Sequence, residues 1–153
     1  MAQKIKVRLF IATVESVLLY GSETWTMTKA LTKGIDGCYT RMLRMAKNVS
    51  WREHRRNEDL YQNLPKISDK IRQRRMRLAG HCIRHEEEIA NKLVLWEPDE
   101  GRRNRGRRRT TYIDTLLDDA CVNDKFELRT LMEERENWWQ HVENAGRPDG
   151  RPR

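Results

Sequence analysis

His81 and His85 stand four residues apart, a spacing that puts two imidazoles on one helical face, and Cys82 lies beside them. Such a pair can chelate zinc, with Cys38 as a thiolate brought in from another element. A usual zinc module has two close ligand pairs, however, and this chain offers one. No metal site is expected. The other residues whose type and spacing carry chemistry are arginines. Residues 101–109 read Gly-Arg-Arg-Asn-Arg-Gly-Arg-Arg-Arg, six arginines with no acid. So many cations repel one another unless a polyanion neutralises them, and the planar guanidinium fork suits phosphate oxygens. Arg102, Arg103, Arg105, Arg107, Arg108 and Arg109 are therefore candidate contacts to a nucleic-acid backbone, a contact that reads no base sequence. The bland alternative is a solvated linker between two helical parts.

A helix must position a second group of cations. Between residues 70 and 84 there are six Lys/Arg and no acid. At 100° per residue Ile71, Leu78 and Cys82 line one side of an apolar arc, with Met76, Ala79 and Ile83 on the other. Opposite them Lys70, Arg74, Arg77, His81 and Arg84 follow at steps of 4, 3, 4 and 3. The spacing can match successive phosphates along a groove wall. Lys70, Arg74, Arg77 and Arg84 join the arginine tract as candidate nucleic-acid-binding residues. A solvated helix face is the competing reading.

The totals agree with a polyanionic partner. The 153 residues are 37% hydrophobic and 35% charged, with a formal net charge of +8, and the isoelectric point is near 9.7. The core must be thin and the surface heavily charged. Three cysteines without a Cys-x-x-Cys pair do not make a disulfide framework, which favours a reducing intracellular setting, nucleus or cytoplasm. The longest apolar stretch, residues 9–19, contains Glu15 and is too short to span a membrane.

The periodicity is helical throughout and predicts an all-α chain of about five to six helices in a loosely packed bundle. Residues 4–19 place Val7, Phe10, Ile11, Val14, Val17 and Leu18 on one face with Glu15 opposite, and Gly21 is a stop. Thr28 caps a helix over 29–47 with a stripe of Leu31, Ile35, Cys38, Tyr39, Met42 and Ala46. Ser50 and Glu53 form a capping-box pattern, and Asn57 is a further cap position before Leu64-Pro65. Ser68 or Asp69 opens the basic helix. Residues 93–96 read as strand or buried turn. Two helices close the chain, over 111–121 and 124–144. Trp138 and Trp139 anchor the last by packing, and Tyr20 and Trp25 are expected in the core rather than stacked on a base. The organisation is a thumb-like helical region at 1–64, the basic helix and an apolar turn at 65–96, a basic loop and Arg-rich linker at 97–109, a helical pair at 110–145 and a frayed tail at 146–153.

Four ordered motifs resemble one family. Leu18-Leu19-Tyr20-Gly21-Ser22-Glu23-Thr24-Trp25 resembles the segment after the catalytic palm of non-LTR retrotransposon (LINE-type) reverse transcriptases. Residues 35–44 look like the next helix of those proteins. Residues 74–85 are similar to their Arg-Arg-x-Arg-x-x-Gly-His-x-x-Arg helix, and Arg105-Gly106-Arg107 followed by Tyr112-Ile113-Asp114 is similar to their Arg-Gly-Arg-Pro tract and the helix beyond it. The resemblance is collinear over about residues 5–140. Arg108 stands where the pattern usually has proline.

The resemblance implies the thumb and post-thumb end of an endonuclease-reverse transcriptase, an RNA-directed DNA polymerase whose thumb holds the template–primer duplex. Expected partners are RNA, DNA or a hybrid, together with the fingers and palm, and no membrane. The palm of such enzymes binds two Mg2+ through a Tyr-x-Asp-Asp turn. Nothing here matches that turn. Tyr112-Ile113-Asp114-Thr115 has one carboxylate, and Asp118 and Asp119 read as a solvent-facing acidic helix face. No catalytic residue and no cofactor is therefore expected in the chain, and by itself it should not polymerise. The alternative function is an orphan helical protein-interaction fragment whose apolar first helix would pack on the missing palm.

Overall fold

A computed structural model describes residues 2–97 and 110–145, with only the backbone of Trp51. Every described element is helical. Helix α1 (Gln3–Phe10) passes through a π-helical turn, Ile11–Glu15, into α2 (Ser16–Leu18). Then follow α3 (Lys29–Ala46), α4 (Asn57–Tyr61), α5 (Ile67–Arg84), α6 (Ile89–Val94), α7 (Tyr112–Ala120), α8 (Lys125–Glu133) and α9 (Arg135–Ala145). The all-α expectation holds. The tail at 146–153 and all of the basic loop beyond Glu97, with its six arginines, lie outside the described residues.

Local chemistry sets the ends of these helices. Gly21 closes the first with φ +66°, a left-handed conformation that costs glycine nothing. The Thr28 hydroxyl accepts the Leu31 N–H at 3.3 Å, and Ser50 with Glu53 forms the expected capping box. Asn57 does not cap α4; its Oδ1 accepts a hydrogen bond from Arg44 instead. Lys66, at the cap position of α5, supplies no side-chain bond. Its place is taken from another helix. Asp36 of α3 accepts the Ser68 N–H on Oδ1 at 3.0 Å and the Ser68 hydroxyl on Oδ2 at 2.8 Å. A carboxylate there satisfies an orphan N–H and complements the helix dipole.

Two apolar cores result, and α5 belongs to both. Its first turns put Ile67 and Ile71 against Phe10, Leu19, Tyr39, Leu43 and Leu60. Its later turns put Met76, Ala79 and Ile83 against Leu116, Leu128, Met132, Trp138 and Val142. Trp138 Nε1 donates to the Met76 carbonyl at 2.9 Å, so the indole is buried with its one donor satisfied. Gly80 makes this possible, because a Cβ there would overlap the Trp138 indole.

Five expectations are corrected. The π turn inserts one extra residue into the first helix and rotates everything after it by about a third of a turn. Glu15 is consequently buried, while Val17 is 76% exposed. Residues 89–94 form helix α6, not a strand, and only Leu95 and Trp96 follow as a turn. The helix expected over 124–144 breaks at Glu134, whose ψ of 97° is extended. Asp119 does not face solvent: its side chain is 8% exposed and ion-paired. Of the expected core aromatics, Tyr20 is 86% exposed.

Candidate nucleic-acid interface

The helix that carries the basic stripe spends part of it internally. Lys70 Nζ lies 2.5 Å from Glu15 Oε1, and the Tyr39 hydroxyl donates to Glu15 Oε2 at 2.6 Å. Burial, and then the bond to Glu15, push the Tyr39 hydroxyl far above the usual tyrosine range. The Lys70 charge is thus matched. Arg72 and Arg75, on the inner side of α5, share Asp119. Arg75 reaches Oδ2 through Nε at 2.8 Å and Nη2 at 2.6 Å, and Arg72 Nε stands 3.2 Å from Oδ1. Arg75 Nη1 also donates to the Trp25 carbonyl at 2.7 Å. These contacts clamp α7 and the segment after Gly21 onto α5.

The outer face of α5 differs. Arg74 Nη1 donates to the Leu19 carbonyl at 2.7 Å, with Glu23 only at the edge of ion-pair range, 3.9 Å. The Arg77 guanidinium sits 5.1 Å from the ring centre of the half-exposed Trp139 of α9, a cation–π arrangement. The His81 and His85 rings follow at a centroid separation of 4.2 Å. Arg84 Nη1 donates to the Met132 carbonyl at 2.8 Å. Burial, and then the nearby Arg135 guanidinium, pull Arg84 below the usual arginine range. Bonds to carbonyls orient a guanidinium without neutralising it. Neither Arg77 nor Arg84 has a carboxylate within ion-pair distance among the described residues. The result is a row of oriented, uncompensated cations next to an exposed indole.

Of the sequence candidates, α5 therefore gathers Arg74, Arg77 and Arg84 on one exposed side and turns Lys70 to Glu15. Arg102, Arg103, Arg105, Arg107, Arg108 and Arg109 lie outside the described residues. Cys82 is buried and Cys38 exposed. Among the described residues no group of three His, Cys, Asp or Glu side chains could hold a metal ion. Asp119 is ion-paired with both Arg72 and Arg75. Sequence reasoning missed Arg135, because its partners lie on a different helix, and it read α3 only for its apolar stripe.

No described helix is long and apolar enough to cross a membrane. No protein-family model matches the chain, and no solved structure matches it. The chain is similar to an uncharacterized transposon-derived protein of Caenorhabditis elegans, F52C9.6, with 26% identity over 149 residues. The match covers 89% of this chain and 53% of that protein, so the chain spans about half the length of the relative it matches. That likeness is consistent with a transposon origin.

Proposed function

We propose that this chain is a non-catalytic nucleic-acid-binding segment of a transposon-encoded reverse transcriptase, corresponding to its thumb and post-thumb end. The observation that carries the reading is one face of α5 and α9 on which Arg77 lies over Trp139 and Arg84 stands near Arg135, none of these arginines with a carboxylate of the described residues in ion-pair range. Like charges are held together at a cost, and phosphates of a backbone relieve it. His81 and the exposed edge of Trp139 extend the face for a sugar or base. The arginines at 102–109 add to the same electrostatic reading, and RNA, DNA and hybrid duplexes are all suitable ligands.

Fluorescence anisotropy with a labelled duplex over a series of KCl concentrations tests this. Wild-type protein is expected to bind in a sequence-tolerant way, and Arg77→Ala/Arg84→Ala is expected to reduce the slope of log K against log salt by about two. An unchanged slope would assign the face to solvent alone. A second reading has its own observation. Ile5, Leu9, Val14, Val17 and Tyr20 leave an exposed apolar row along α1 and α2, which suits packing against a palm or another protein. On that reading the isolated chain self-associates in size-exclusion chromatography and binds no nucleic acid.

A further inference from the structure

We infer that the solvent face of α3 is a second nucleic-acid-binding surface, which takes a sugar–phosphate backbone across Gly37. The inference rests on the reading of the α5–α9 face given above. Around α3, Tyr39 and Leu43 are fully buried. At 100° per residue the opposite arc holds Lys33, Gly37, Arg41 and Arg44, with Lys29 at its edge. The one acid of this helix, Asp36, is committed to Ser68. Lys29, Lys33 and Arg41 make no ion pair with any described residue. Unlike the inner side of α5, this face is not quenched.

Arg44 is braced there. Its Nη2 donates to the Arg55 carbonyl at 2.7 Å and to Asn57 Oδ1 at 2.9 Å. Those bonds leave the charge intact and the remaining donors outward. They also hold the 52–56 loop against the helix. From residue 29 to residue 56 the chain has eight Lys/Arg and two acids, a net of +6 that contains most of the total of +8. Of these eight, Lys47 turns inward, donating to the Leu60 carbonyl at 2.5 Å, and Arg55 pairs with Glu53 at 3.4 Å.

Gly37 lies in the middle of this arc, exposed, and a Cβ built on it meets nothing within 4 Å. A glycine inside a helix is unfavourable relative to alanine, and no packing within the described chain requires this one. What it does provide is a helix surface bare of side chain between Lys33 and Arg41, where a backbone strand can approach closely. The twelve residues from Lys33 to Arg44 rise about 16 Å, enough to follow several nucleotides at about 3.4 Å each.

The experiment compares wild type, Gly37→Ala, Gly37→Leu and Lys33→Ala/Arg41→Ala by anisotropy with a 20-base-pair duplex, alongside thermal melts. Both Gly37 variants are expected to melt at or above the wild-type temperature. Gly37→Leu is expected to weaken binding about fivefold or more, and the double variant to lower the salt slope by about two. Stability and affinity would then move in opposite directions, which a structural role does not produce. Wild-type affinity and slope in Gly37→Leu and in the double variant would overturn the inference while leaving the α5–α9 reading intact. Should Gly37→Leu melt lower, the decision passes to Gly37→Ala and the double variant. A wild-type protein that binds no duplex, hybrid or single strand would remove both readings.

Discussion

Lys70 Nζ and Glu15 Oε1 meet at 2.5 Å across 55 residues of sequence, and the Glu15 side chain is only 7% exposed. A carboxylate so far from water is tolerable because Lys70 and Tyr39 satisfy both its oxygens. The pair ties α5 to the first helix. Removing one member strands the other.

Lys70→Met is accordingly expected to lower the unfolding free energy by about 3 kcal/mol in urea titrations. Glu15→Gln combined with Lys70→Met should recover most of that loss, because the buried charge goes too while an amide oxygen still accepts the Tyr39 hydroxyl. The salt slope of duplex binding should stay at the wild-type value in the double variant. A slope lower by one would return Lys70 to the binding face.

Gly80 is expected to tolerate no side chain. A Cβ there would run into the Trp138 indole, which is anchored to Met76 and cannot swing aside without losing its buried hydrogen bond. Gly80→Ala should cost about 1–3 kcal/mol of stability through overpacking, although alanine is the better helix former. A melt at or above the wild-type temperature would show that the indole yields.

Asp36→Ala removes the cap that α3 lends to α5. Loss of an N-cap interaction costs about 1 kcal/mol, and amide hydrogen exchange should speed up at Ser68 and the next residues of α5 before anywhere else. If exchange rises evenly along the chain, the cap is not what Asp36 provides.

Asp69 should make stability fall as pH rises. It is buried, and its Oδ2 has no hydrogen-bond partner among the described residues. Burial lifts its carboxyl above the ordinary value of 3.8; Arg72 and Lys66 oppose that and the Asp36 charge adds to it. Between the ordinary value and the higher folded one, the native state holds a proton that the unfolded chain releases. Stability contributed by this group is therefore full below about pH 4 and is lost as pH climbs through the folded value. Asp69→Asn should melt higher than wild type at pH 7, with the gap closing below about pH 4. A gap independent of pH would rule out the titration.

Much of the scaffold was legible from local chemistry. Thr28, the Ser50–Glu53 box and Gly21 act at short range, so their neighbours in sequence are their partners in space. The apolar arc of α5 was likewise readable from its period. The first helix was not, because a π turn shifts the register by one residue and no composition rule announces it. The break at Glu134 escaped for a similar reason: neither glycine nor proline marks it, and packing of Met132 and Trp138 into one core decides where α8 ends and α9 begins.

By itself the sequence determined that the chain is helical, that it carries an excess of positive charge, and roughly where the caps fall. These follow from period, composition and contacts within a few residues. Tertiary structure alone decided which cations are spent and which remain. Lys70 stands on the same stripe as Arg77 and Arg84, yet Glu15 arrives from a distant segment to neutralise it, and Asp119 does the same for Arg72 and Arg75. An ion pair depends on distance in space, and a periodic stripe of charge specifies only one of the two partners.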